Sequence, residues 1–103
     1  SRGLGDVYKR QVLARRMAQW EDMGFDVSSL EQAMKATSTK RYEIYREVEE
    51  SVRRAIECER RIQMIEIRGH TVGAAKMRFR IMQLTGLDDV ELQLDEILQG
   101  EQA

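Results

Sequence analysis

Proline is missing from all 103 residues. An average chain of this length would hold about five. An internal proline removes a backbone donor and clashes with the turn before it, so its absence leaves long helices uninterrupted. A single cysteine excludes an intrachain disulfide, and one cysteine with one histidine falls short of the usual four protein ligands of a structural zinc site. No charge of one sign dominates: 17 basic residues against 18 acidic leave a net −1. That balance argues against a strongly basic nucleic-acid module and against an acidic tail. No apolar run approaches the ~20 residues of a membrane span, and no secretory hydrophobic region is visible, so the expected location is cytoplasmic. What is there is 42% hydrophobic and 34% charged. That is not a disordered composition, and the length fits one small domain or part of one.

Ser1 to Gln11 read SRGLGDVYKRQ. The stretch resembles a translated sequencing adapter of the kind found at the ends of metagenome-derived proteins. The resemblance implies a non-native segment over 1–11, followed by a helical domain over 12–100 that is the C-terminal part of a longer protein. The alternative is a native glycine-containing tail.

From Val12 onward apolar residues recur at helical spacing. Leu13, Met17 and Trp20 form one side of a first helix, and Gly24 supplies a left-handed stop. Asp26 is placed to cap a short second helix, with Phe25 and Leu30 at staple positions; Ser28 and Glu31 offer a competing capping box. That helix carries Leu30, Ala33 and Met34 and is expected to end near Thr37. Thr37, Ser38 and Thr39 compete with the helical backbone and read as a turn and cap.

The spacing then predicts a long helix from about Thr39 to Arg68, with a stripe of Ile44, Tyr45, Val48, Val52, Ala55, Ile56 and Ile62. Glu49–Arg53, Glu50–Arg54 and Glu57–Arg61 have favourable i,i+4 spacing. Gly69 to Thr71 is expected to turn the chain with Thr71 as cap, a continuous helix being the alternative. The next helix is apolar on two sides, Val72, Ala75, Phe79 and Met82 on one and Met77, Ile81 and Leu84 on the other, which predicts a sandwiched position. It stops at Gly86. Asp88 and Glu91 then have capping-box spacing and Leu87 and Leu92 staple spacing for a last helix bearing Leu94, Ile97 and Leu98.

Gly24-Phe25-Asp26 with Leu30 parallels Gly86-Leu87-Asp88 with Leu92, and counting back aligns Trp20 with Met82 and Met17 with Phe79. This is either an internal repeat or the ordinary appearance of two helix–turn–helix junctions. Trp20 to Glu31 also resembles the W-x-x-x-G-[FY]-[DN]-V-S-x-L-E helical element of uncharacterised archaeal proteins. The resemblance implies a coil-rich interaction or spacer module and carries no functional residues with it. The second copy lacks the tryptophan and the serine.

Two constellations bear on function. Arg53, Arg54, Arg60, Arg61 and Arg68 share about a third of the long helix's circumference, opposite the apolar stripe. They form a candidate phosphate-binding face. Glu43, Glu50 and Glu57 fall in the same sector, however, and interleaved signs cancel the field that attracts a polyanion. Glu59 and Glu66 fall in line with Val52 and Ile62, where an unpaired buried carboxylate is costly. They pair with Lys76, Arg78 or Arg80, or lie where coverage ends, or meet a basic partner in a coiled-coil-like seam. Coverage ending there is the simplest of the three. His70 reads as a solvated turn histidine, Cys58 as a small packing residue, and Trp20, Tyr42 and Tyr45 as core anchors.

These observations predict an all-α antiparallel bundle or hairpin around one long central helix. The expected function is a non-enzymatic interaction or scaffold module with no cofactor, no metal site and no evident small-molecule substrate. It would bind a protein partner or associate weakly with itself through Glu59, Glu66 and Ile62. The rivals are a nucleic-acid-associated protein using the arginine face, and the helical part of an enzyme whose catalytic domain lies upstream.

Overall fold

In the computed structural model, backbone structure is described for residues 2–102 and side chains for residues 10–100. The described residues form five helices and no strand: α1 (Arg2–Asp22), α2 (Ser28–Ala33), α3 (Ser38–Ile67), α4 (Thr71–Met82) and α5 (Leu87–Gln102). The fold is all-α, as the periodicity predicts, and α3 is the longest helix. The expected boundary at Gln11 concerns side chains that lie mostly outside the described residues. Two compact units divide the chain, 1–50 and 51–103, and the division falls inside α3.

In the first unit, α1 ends in a paired-turn cap. Gly24 has φ +98°, its N–H donates to the Glu21 carbonyl at 2.9 Å, and the Phe25 N–H donates to the Trp20 carbonyl at 3.0 Å. A side chain at Gly24 would strain that left-handed backbone. Asp26 does not cap α2 directly. Val27 holds the N-cap position, and Asp26 Oδ1 instead accepts the Ser28 N–H at 3.0 Å, a local Asx turn. That N–H holds the Asp26 carboxyl below its usual value. The Ser28–Glu31 capping box is likewise absent, because Ser28 is already the first helical residue.

Thr37 caps α3 rather than closing α2. Its Oγ1 accepts the Lys40 N–H at 3.4 Å and its carbonyl accepts the Arg41 N–H at 2.8 Å. The core of this unit holds Leu13, Trp20, Phe25, Val27, Leu30, Ala33, Tyr45 and Val48. Trp20 stacks on Tyr45 with ring centres 5.8 Å apart. Tyr42, expected as a core anchor, is 53% exposed. It stands off the buried face and its hydroxyl accepts from Arg46.

In the second unit, α3 buries Val52, Ala55, Cys58, Ile62 and Ile65. Continuing a strict three–four spacing from Val52 and Ala55 would bury Glu59 and Glu66. A straight helix drifts about 20° per heptad against that pattern, and the seam passes through Cys58 and Ile65 instead. Ile56, expected in the stripe, is exposed. The chain turns at Gly69, where φ is +105°. The Gly69 N–H donates to the Glu66 carbonyl at 3.1 Å and the His70 N–H to the Ile65 carbonyl at 3.0 Å, so the continuous-helix alternative does not hold. The N-cap of α4 is His70, one residue before the expected Thr71.

The second helical pair departs further from expectation. α4 buries one side only, Ala74, Met77 and Ile81; Val72 and Phe79, expected to be covered, are 69% and 67% exposed. It ends at Met82 rather than at Gly86. Leu84 takes the left-handed turn position at φ +56°, its N–H donating to the Ile81 carbonyl at 3.0 Å. Gly86 opens α5 by accepting the Val90 N–H at 3.1 Å. A Cβ at Gly86 would sit 3.0 Å from Arg80 Nη2. Gly24 therefore ends a helix while Gly86 begins one, and Leu30 is fully buried while Leu92 is 58% exposed. The apparent repeat consists of two different junctions. Leu87, Val90 and Leu94 complete the core of this unit.

Candidate functional site

The arginines of the second unit mostly face the protein's own carboxylates. Asp88 and Glu91 lie one turn apart at the start of α5, and neither acts in the capping box their spacing suggests. Both accept from Arg54, with Nε at 3.2 Å from Glu91 Oε2. About two turns further along α3, Arg61 bonds Asp95. These contacts hold the Arg54 guanidinium well above its ordinary value, the Glu91 hydrogen bond contributing most and Asp88 next. The arginine face predicted from the sequence is therefore split. Arg54 and Arg61 turn toward α5, Arg60 bonds Glu57 at 3.2 Å, and Arg53 and Arg68 stand exposed. A polyanion would compete with carboxylates already in place.

Arg78 joins the other flank of α3 to α4. Its Nε donates to Glu59 Oε2 at 2.9 Å and Oε1 at 3.1 Å, and its Nη1 donates to Glu66 Oε2 at 3.0 Å. Gln63 Nε2 adds a 3.3 Å bond to Glu59. Hydrogen bonds to Glu59, then to Glu66, raise the Arg78 guanidinium above its ordinary value. Two of the three readings open for Glu59 and Glu66 hold together: they pair with Arg78, and they stand where coverage ends. Neither carboxylate is buried: their side chains are 27% and 42% exposed. Ile62, grouped with them as a partner contact, is fully buried within the unit and presents nothing to a partner.

This ion triad fixes which surfaces share a side. At 100° per residue, Ile56, Gln63 and Ile67 follow Glu59 and Glu66 around α3, moving away from the buried seam. Met82, Ala75 and Phe79 follow Arg78 around α4 in the same outward sense. Because Arg78 binds the two glutamates directly, both sets face the same side of the α3–α4 pair. Ile67 is 86% exposed, Phe79 67% and Ile56 42%, while Met82 is half-buried. The result is a charged strip with two carboxylates and one guanidinium, bordered by apolar side chains over about 16 Å, eleven residues at 1.5 Å each.

Other groups carry less chemistry. Cys58 is buried, and burial, then the negative charge of Glu91, pushes its thiol up, which disfavours the thiolate a nucleophile needs. A cavity of about 390 Å³ is lined by Ser51, Arg54, Leu84 and the start of α5; its two carboxylates, Asp88 and Asp89, are paired with Arg54 and Arg80, and no histidine or cysteine lines it. Among the described residues no group of three His, Cys, Asp or Glu is placed to hold a metal ion, and no helix is long and apolar enough to cross a membrane. No family model matches the chain, and neither the curated proteins nor the solved structures compared with it contain a match.

Proposed function

We propose that this chain is a non-enzymatic helical interaction module, cytoplasmic, which binds a protein partner through the outer face of α3 and α4 in the second unit. The observation that carries the reading is the exposure of Ile67 and Phe79 on the side that the Arg78 triad defines. Scattered exposed apolar residues need no explanation. Several on one side of a helix pair, bordering half-exposed charges, have the composition of an interaction surface. The contact moves from where the sequence pattern put it: Glu59 and Glu66 belong to it, and Ile67, Phe79 and Ile56 replace Ile62.

Site-specific photo-crosslinking tests this. A photoreactive residue at Phe79 should give a discrete protein adduct in extract, competed by unlabelled chain and lost in an Ile67→Ser background. The same group at Gln99, on exposed α5, should give none. Equal adducts from both positions, or none from Phe79, would sink the reading. The rival nucleic-acid reading predicts oligonucleotide binding that survives salt. The split arginine face supports the opposite expectation, no sub-micromolar binding at ~150 mM salt, where non-specific contacts are weak.

A further inference from the structure

We infer that the occupant of this face is an amphipathic helix carrying a basic residue, lysine or arginine, at the centre of its apolar side. The inference deepens the proposed function and rests on it. Its basis is charge. Glu59 and Glu66 bring two negative charges to the middle of the strip, and Arg78 returns one positive. The nearest polar neighbour, Gln63, is neutral. Arg54 and Arg61, the other inward arginines of α3, are committed to α5 on the opposite flank. Lys76 lies beyond Phe79 on the far edge of α4, away from the triad.

Arg60, on the same stretch of α3 as Ile56 and Ile67, is bonded to Glu57 and that pair is neutral, so the strip keeps the triad's one excess negative charge between two apolar borders. Its exposed carboxylate edge, chiefly Glu66, has room for one more donor: a carboxylate offers about four lone-pair sites, and on Glu66 Arg78 fills two, through Nη1 at 3.0 Å and Nη2 at 3.5 Å. A helix laid along the ~16 Å strip would set apolar side chains at i, i+3 and i+7 against Ile56, Ala75, Phe79 and Ile67. Its central basic residue would complete the triad as a four-membered network. A second copy of this chain fits poorly. A two-fold contact through the same face opposes the same excess negative charge to itself, and like charges across an interface are disfavoured.

The test uses fluorescein-labelled helical peptides of about 16 residues, long enough to span the strip. Each has leucines at i, i+3 and i+7, and each differs only in carrying Arg, Gln or Glu at the central inward position. Anisotropy titrations of the full chain should rank them Arg, then Gln, then Glu, with roughly tenfold or more between the extremes, the effect expected for complementary against repulsive charge. Glu66→Gln should collapse that ranking, and its amide oxygen can keep accepting from Arg78, so the fold is retained. Gln63→Glu, which adds a carboxylate at an exposed site, should widen the ranking. Phe79→Ser should weaken all three peptides together.

Three results overturn the inference. Equal affinities that Phe79→Ser abolishes would refute the basic residue and leave the interaction face standing. Tightest binding by the Glu peptide would make Arg78 the recruiting group. No binding by any peptide, with a dimer in sedimentation that Glu66→Gln strengthens, would make a second copy the occupant. The proposed function itself falls only with the crosslinking experiment, so the two failures are distinguishable.

Discussion

Arg41 in the first unit and Arg78 in the second are both drawn partly out of water, and their surroundings differ. Arg41 is 5% exposed. Its Nη2 donates to the Ala36 carbonyl at 3.0 Å, and its buried Nε has no partner among the described residues. Arg78 keeps about a third of its side chain in solvent and holds two carboxylates. The same contrast runs through the rest of each unit. The first is closed by the Trp20–Tyr45 stack and by aliphatic packing, with Arg16–Glu49 a loose pair at 3.9 Å. The second is tied helix to helix by Arg54, Arg61 and Arg78. Packing is indifferent to salt, whereas partly exposed ion pairs are screened by it. Two parts of one small helical chain thus rest on different physics.

The largest effect that would break this contrast is Trp20→Ala. Trp20 is 5% exposed and stacked. Removing a buried aromatic of this size costs about 3–5 kcal/mol, and the loss should be the same in low and high salt. Chemical denaturation at two salt concentrations measures both. A loss under about 1 kcal/mol, or a native fluorescence maximum at the fully solvated position, would show that the stack does not close the unit. Next comes Arg54→Met. Arg54 is about a quarter exposed and joins α3 to Asp88 and Glu91. Charged hydrogen bonds of this kind, discounted for solvent, are worth about 1–2 kcal/mol. The cost should shrink at ~1 M salt, where the screening length falls to about 3 Å. A cost independent of salt would mean that the methylene stem, not the charge, holds α5.

The helices themselves were legible from the residues. The start of α3, the turn at Gly69 and the Gly24 stop follow from cap chemistry and left-handed glycine, which are local. What local pattern could not settle was which flank of each helix another helix covers. Ile56, Val72 and Phe79 have apolar side chains at helical spacing and still face out, because periodicity reports a face without naming its neighbour. Leu84 shows the same limit at a turn: a leucine at φ +56° carries no sequence signal. The Arg78 partners were among the alternatives for Glu59 and Glu66. The α5 partners of Arg54 were hidden, because Asp88 and Glu91 at the start of a helix match a capping box equally well, and Asp95 was hidden because Glu57 stands at i,i+4 spacing from Arg61.

A smaller effect tests the odd member of the first unit. Arg41→Met keeps volume and removes a buried charge that, among the described residues, is answered by one carbonyl. Replacing poorly compensated buried charge with apolar surface is often neutral or stabilising. Ala36 is partly exposed, so water can satisfy its carbonyl. Arg41→Met should therefore change stability by no more than about 1 kcal/mol, and upward if it moves further. Arg78→Met, which strands two carboxylates, should lower it. Equal losses in both variants would show that Arg41 has a partner of the same worth as Glu59 and Glu66.

The finest distinction is in pH, and it has one marker per unit. Cys58 in the second unit has its thiol pushed above the ordinary 9.0, first by burial and then by Glu91. Tyr45 in the first has its phenol pushed above 10.0, first by burial and then by the hydrogen bond to Glu49. In both, the folded state favours the protonated, neutral form. The stabilisation is therefore complete below the unfolded value and is lost as pH rises through the folded one. The unfolded thiol ionises first, so stability should start to fall above about pH 9 through Cys58. The slope should steepen above about pH 10, where Tyr45 joins it. Cys58→Ala should flatten the first limb and leave the second, and Tyr45→Phe the reverse. Both variants shift absolute stability through packing, so the reading lies in the slope of unfolding free energy against pH. A Cys58→Ala protein that keeps the full wild-type slope from pH 9 to 10 would show that another group titrates there.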